Sequence, residues 1–446
     1  MSKKITKLLS MFLTMLLILT SLVGCGKKDT SEENATGNND TSTNNTSTNS
    51  TTTNDTTTND TATNEKEQIT LTYWYTYGDG EEAQFKNVVL PMWEKEHPNI
   101  KIDPVRQDSS QYHQMIVTAF GTGQTPDVAR IDIVNTASYA NQGGLVALNN
   151  FDGFDTSKAE FLDGPLSTNL YKGSYYGLPL DTNCKAAVVN MNTLASIGLN
   201  QVPATLEEFI TAAEKSTTPL ISVSGVGDWD FYPYFWLFGG TLTDPEFKKA
   251  SGYLDSQASI NAINKLVELN QKKILTIKEV DGTADAWDGI KTGEYAMFFE
   301  GPWFFGSYEE NLAQGIQAAQ IPTYNGRSAS VVGGENIVMF TTSKHQDAAY
   351  EFLKFMTSEE VQLAMLDVGQ LPVLKSLVTN EKVTSNPVWS VYMKQLETAS
   401  ARIPSPNHDE ISAVWSNAMT NIFINKADVK SELQSAAAQI DELLAQ

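Results

Sequence analysis

Cysteine is almost missing from this chain: two occur in 446 residues, at positions 25 and 184. They form no Cys-x-x-Cys. The four histidines, His97, His113, His345 and His408, stand far apart and make no His-Glu-x-x-His. Zinc sites gather three or four such ligands at short spacing, so metal ligation has no support and no cofactor is expected. Basic residues are also in deficit, 31 against 53 acidic, for a formal charge of −22 without any basic run. A surface of that sign repels phosphate, which argues against nucleic acid and anionic membrane as partners. The chain has no Gly-x-x-x-x-Gly-Lys-Ser/Thr loop, no Gly-x-Gly-x-x-Gly after a strand and no Gly-x-Ser-x-Gly elbow. The usual phosphate cradles and the hydrolase nucleophile turn are therefore missing. Carboxylates are plentiful. A glycosidase pair such as Asp181 with Glu300 or Glu335 stays open on spacing, beside the plainer reading of carboxylates that face solvent or bind hydroxyls.

The N-terminus carries Lys3, Lys4 and Lys7, then an uncharged apolar run from Leu8 to Val23. This is the layout of a secretory signal, and the run is short for a membrane span of about 20 residues. Leu22-Val23-Gly24-Cys25 resembles a bacterial lipobox, which implies that residues 1–25 end in a lipidated Cys25. Cys184 is then left without a disulfide partner. Residues 33–64 are almost wholly Thr, Asn, Ser and Asp, with no aromatic. Such a segment cannot bury enough apolar surface to offset its ordering entropy, so residues 26–67 read as a disordered tether.

From residue 68 the chain is too long for one ordinary core, and two lobes are expected. Ile69–Tyr77 reads as a strand. Phe85, Val88, Val89, Met92 and Trp93 mark a helix face, and Ile100, Ile102 and Val105 a second strand. A helix over 112–120 and a strand over 126–131 complete a β-α-β-α-β order, which implies an α/β lobe with a largely parallel sheet. Ligands in such sheets bind outside the C-terminal strand ends, and Trp74, Tyr75, Asp79 and Asp127 are placed near them. In YKGSYYGLPLDTNCKAAVVNMN (171–192), the polar Asp181-Thr182-Asn183 divides two apolar runs. That pattern suits a segment passing between lobes, where ligands commonly sit. Gly333-Gly334-Glu335 and Gly369–Pro372 are two further candidate crossings. Trp74, Trp229, Trp287 and Trp303 lie among short polar residues. Indole faces stack on the C–H faces of sugars while Asp, Asn and Glu pair the hydroxyls. Core packing is the alternative for each.

TYWYTYGDG, GTGQTPDVARID, YKGSYYGLPLDTN, GEYAMFFEGPW, VVGGENIVMF and AAYEFLKFMTSEEVQ occur in this order. Through them the chain resembles the extracellular solute-binding proteins of ABC transporters, in the oligosaccharide group typified by maltose-binding protein. The resemblance implies an α/β, two-lobed, periplasmic-binding-protein-like (type II) fold with three crossing segments. The first lobe would be residues 68–181 with 332–374, the second 182–331 with 375–446. It implies a non-enzymatic receptor, monomeric and lipid-anchored at Cys25 on the outer face of the membrane. The receptor would hand an oligosaccharide to the permease subunits of an importer. Carried over by position, Asp79 would accept sugar hydroxyls, Asp127 would line the same lobe's edge, and Asp181 and Asn183 would follow the first crossing. Trp303 of Gly-Pro-Trp would be the stacking tryptophan, and Gly334 and Glu335 would lie at the second crossing. Trp229, Tyr232 and Arg402 complete the set. Asn183 stands where the maltose-type pattern has an acid, and Gly80 where it has a lysine, which weakens the case for maltose as the ligand. The alternatives are a surface glycoside hydrolase and a receptor of the same fold for a non-sugar solute.

Overall fold

A computed structural model of the chain describes residues 68–446, apart from the side chains of 307–309. The signal segment, Cys25 and the tether lie outside the described residues.

Two sheets organise the chain. The strands are β1 (Ile69–Tyr75), β2 (Ile100–Arg106), β3 (Val128–Asp132), β4 (Leu170–Tyr171), β5 (Ser174–Tyr175), β6 (Leu178–Cys184), β7 (Ala186–Asn190), β8 (Ile221–Val223), β9 (Leu275–Ile277), β10 (Met297–Glu300), β11 (Ile316–Ala319), β12 (Ser330–Met339) and β13 (Ala399–Ser400). In the first sheet, β2-β1-β3 run parallel, β12 is antiparallel to β3, and β6 is antiparallel to β12. The second sheet has the order β11-β7-β10-β8-β9. β4 and β5 form a small hairpin of their own.

Alternation explains the first lobe's core. Leu71, Tyr73 and Tyr75 of β1 point to one face, where they meet Phe85, Trp93, Phe352 and Leu353 from the flanking helices. Tyr73 lies edge-on to Phe85 and Phe352, with centroids 5.6 and 5.3 Å away. The other face packs Ala129, Ile131 and Phe340 on Tyr112, Ile116 and Tyr139. Each such large side chain, fully buried, contributes roughly 1.5–3 kcal/mol. In the second lobe, β7 is buried along its whole length. One face of that sheet packs the helices Leu206–Ala213, Asp228–Leu237, Gln257–Gln271, His408–Phe423 and Val429–Leu444. The other packs Ala286–Thr292 and Trp389–Leu396.

Three segments pass between the sheets. β6 stays paired with β12 as far as Cys184, so the first handover falls at Lys185 rather than between residues 181 and 182. β12 spans both regions: Ser330 and Val331 pair with β13, while Glu335–Met339 pair with β3. On the third strand of chain, Leu371 bridges Thr182, and Leu374 bridges Phe161. Around the candidate crossing Gly369–Pro372 the chain touches both cores: Leu366 and Leu371 pack in the hinge-side core of the second lobe, Val373, Leu374 and Leu377 in the first core, and Val383 in the hinge-side core again.

Candidate functional site between the lobes

Strand geometry builds the first side of the site. On β3, Arg130 and Asp132 share a face with Val128. On β12, Glu335 is registered opposite Asp132 on one neighbour and opposite Asp181 on the other. Three carboxylates thus lie in a row across three strands, an arrangement that repels unless a cation intervenes. Arg130 supplies it. Its Nη2 is 2.9 Å from Glu335, 3.5 Å from Asp181 and 3.9 Å from Glu81, and Nη1 donates to the Thr76 hydroxyl at 3.1 Å. The guanidinium lies over the Tyr77 ring, 4.9 Å from its centroid, and the residue is only 5% exposed. Burial works against its charge, but Glu335, Asp181 and Glu81 outweigh that and hold it more firmly protonated than usual. Burial pushes the carboxyls of Asp181 and Glu335 up, with Arg130 opposing.

β6 continues the row with the same period of two. Asp181 reaches Arg130. Asn183 lies opposite Gly333, is 7% exposed, and leaves its Oδ1 without a hydrogen-bond partner. Lys185, two residues on, is buried among three acceptors: Asp230 Oδ1 at 2.6 Å, the Phe299 carbonyl at 3.2 Å and Glu300 Oε1 at 3.6 Å. Burial disfavours its charge, yet Glu300 and Asp230 hold its pKa above the ordinary lysine value. Two glycines make room here. A Cβ on Gly333 would come within 2.7 Å of the Trp229 ring and strike Asn183 Oδ1. Gly334 sits at φ +124°, where a Cβ would strike the Asp181 carbonyl.

The second lobe contributes aromatic surface. Trp229 lies in the first turn of the helix Asp228–Leu237, and Trp303 follows Gly301-Pro302 just beyond β10. Their rings stack with centroids 5.9 Å apart and 29° between planes. Trp303 is 40% exposed, while Phe304 and Phe305 beside it are buried. Lys185 Nζ and the Arg402 guanidinium lie 5.2 and 5.4 Å from the Trp229 centroid. Arg402 in turn donates to both Asp132 oxygens, at 2.9 and 3.2 Å. Its Nε and the Nε of Arg130 are buried without partners. Unpaired donors and acceptors beside an exposed indole can pair hydroxyls and stack on a ring.

The structure brings Asp181, Asn183, Trp229, Trp303, Gly334, Glu335 and Arg402 together. It separates the rest. Asp127 is at the N-terminal end of β3, not the C-terminal end. Its carboxylate accepts from the Thr72 N–H at 2.9 Å and the Ser343 hydroxyl at 2.5 Å, and so ties β1 to a loop. Tyr75 and Tyr232 are core residues. The Tyr75 hydroxyl donates to Glu82, and the Tyr232 ring packs on Trp236 and Trp415. Trp74 faces the opposite side of the first sheet, beside Gln111, Met115 and Thr118. Asp79 reaches the correct end of the sheet, but its side chain is 96% exposed and pairs with Arg106 at 2.7 Å. Glu81, two residues further, takes the inward position. Trp287 supports the site from behind, its Nε1 donating to Glu300 at 2.8 Å.

The sequence profile described as "Bacterial extracellular solute-binding protein" matches residues 77–363, well over half of the chain. The chain belongs to this family. Its relatives include the diacetylchitobiose binding protein DasA of Streptomyces coelicolor, 25% identical over 70% of this chain and 75% of that one. The maltodextrin-binding protein MdxE of Bacillus subtilis is 25% identical over 70% of this chain and 76% of its own length. Among solved structures, the GacH receptor of Streptomyces glaucescens superposes with a TM-score of 0.76 at 24% identity, covering 85% of this chain and 99% of GacH. That likeness establishes the two-lobed α/β fold of this family member.

Proposed function

We propose that this solute-binding protein captures an oligosaccharide between its lobes and delivers it to the permease subunits of an ABC importer. The observation that carries the reading is the pairing of an exposed, stacked Trp303 with a buried row of polar groups, Asp181, Asn183 and Glu335, from the facing lobe. Relatives whose names specify diacetylchitobiose and maltodextrin support the carbohydrate class. Lipid attachment at Cys25 would hold the receptor at the outer face of the membrane. The carboxylates offered for a hydrolase pair are engaged elsewhere: Asp181 and Glu335 share Arg130, while Glu300 binds Lys185, Trp287 and the Gly301 N–H. Each is thus held by partners within the protein, which favours binding over cleavage.

A thermal-shift screen of malto-, chito- and arabino-oligosaccharides tests this. A ligand that binds only the native state at 100 times its Kd adds about 2.7 kcal/mol of stability. A shift with one series, and no product by chromatography after prolonged incubation, is expected. Turnover, or no shift with any saccharide, would refute the proposal.

A further inference from the structure

Two ion pairs join the lobes, Asp132 with Arg402 and His113 with Asp409. Asp132, at the end of β3, meets Arg402, which precedes Ile403 of the second core. His113, in the first-lobe helix Tyr112–Thr122, places Nε2 2.9 Å from Asp409, in the first turn of the second-lobe helix His408–Phe423. The other ring nitrogen of His113 is hydrogen-bonded to the Tyr139 hydroxyl at 2.9 Å, which orients the imidazole toward Asp409. We infer that these four residues are positioning residues for capture: a two-point clasp that draws the lobes together without ligand, one point of which is released by alkaline pH. The inference rests on the interlobe site as the place of capture, but not on the ligand being a sugar.

The clasp's two points differ in physics. Arg402 is buried, covers Trp229 and stays charged at any ordinary pH, since Asp132 and Asp228 outweigh the burial that opposes its charge. The His113–Asp409 pair is half-exposed and titrates. His113 is faced from its own lobe by Asn135 and Tyr139, and from the second lobe by Asp409 and Glu410. His408 and Asp228 stand behind Asp409. The Asp409 hydrogen bond raises the His113 pKa, and the same bond lowers that of Asp409. A raised imidazole stabilises the closed arrangement fully below its ordinary pKa of about 6.5, and that stabilisation is lost as pH rises through the raised value. The lowered carboxyl contributes above its ordinary value of about 3.9, so the pair is complete near pH 6.

Small-angle scattering of the ligand-free full chain at pH 6 and pH 9 tests the clasp. The wild type is expected to be compact at pH 6 and to expand at pH 9. For an exposed pair the open-to-closed ratio should rise about two- to fivefold. His113→Arg keeps a charge opposite Asp409 and should stay compact at both values. Asp132→Asn combined with Asp409→Asn should be expanded at both, with far-ultraviolet circular dichroism confirming that the lobes remain folded. Equal scattering of wild type at the two pH values would overturn the pH-sensitive point. So would expansion of His113→Arg at pH 9. A double variant as compact as wild type would overturn the clasp. All three readings are made without saccharide, so a failed sugar screen leaves them standing.

Discussion

The two sides of the cleft are built by opposite means. On the first lobe, the groups proposed for recognition are charges on adjacent strands, locked by one another: Arg130 cannot move without stranding Asp181 and Glu335. On the second, they are indoles mounted on a helix start and a post-strand loop, held by stacking and by the cations beneath Trp229. The difference separates direction from contact area. A pre-paired network fixes where hydroxyls can dock at no reorganisation cost, but its fold depends on it. An exposed ring adds affinity and can be removed with little structural consequence. Mutations on the two sides should therefore fall in different measurements.

Arg130→Met gives the largest expected effect, and it is on stability. Removing one partner of a buried ion pair leaves uncompensated charge and costs about 3–5 kcal/mol. Denaturant unfolding measures it. A loss under about 1 kcal/mol would mean that the carboxylate row is not held by this cation, and the contrast between the lobes would collapse. Gly334→Ala should follow, since its φ of +124° and the Asp181 carbonyl leave no place for a Cβ. Backbone strain of this kind costs about 1–3 kcal/mol. The same unfolding experiment reads it, and a neutral result would show that β12 can shift at the crossing. Trp303→Ala should reverse the pattern: unchanged unfolding, but affinity for the bound saccharide weakened by about 1–3 kcal/mol, taking stacking of bases on aromatics as the analogue. Calorimetry decides, and unchanged affinity would remove Trp303 from the site.

Much of this was legible in residue order. Ile69–Tyr77, rich in Thr and aromatics, holds the alternating strand β1, and the polar break at Asp181-Thr182-Asn183 lies on β6 just ahead of the handover at Lys185. The same alternation, carried two residues further along β6, points to Lys185. Along β3 it puts Arg130 on the face of Val128, an unusual place for a lone cation. A lone cation in an apolar strand carries no motif of its own, and its acid partners come from other strands. Asp127 and Asp79 failed for another reason. A Pro-Asp before a strand and a Gly-Asp after one look alike in one dimension, yet register puts the first at the far end of the sheet. Tyr75 and Tyr232 could not be told from cleft tyrosines, because their partners Phe85 and Trp415 come from remote segments. Asp228–Leu237 carries Pro233 and lacks a polar face, so its helix shows no amphipathic signature.

The smallest expected effect is a change of slope, and it asks whether the first lobe's network is as tightly coupled as its geometry suggests. Burial raises the carboxyls of Glu335 and Asp181, and Arg130 only partly opposes this. A carboxyl with a raised pKa binds its proton more tightly folded than unfolded. Its contribution to stability is therefore complete below the ordinary value of about 4.3 and declines as pH climbs through the raised one. Asp228 and Asp409 work in the opposite sense. Burial opposes the Asp228 charge but His408 and Arg402 outweigh it, and His113 lowers Asp409, so both favour the fold as pH rises from acid. The wild-type curve mixes the two, and the informative quantity is the difference between wild type and Glu335→Gln. The glutamine keeps the shape of the side chain but cannot titrate. Between pH 4.5 and 7.5 the stability of wild type relative to Glu335→Gln should fall as pH rises, measured by denaturant midpoints at constant ionic strength. A difference that stays flat, or rises with pH, would mean that Arg130 fully neutralises Glu335. The network would then behave as a fully charged ion pair, with no raised carboxyl in the fold.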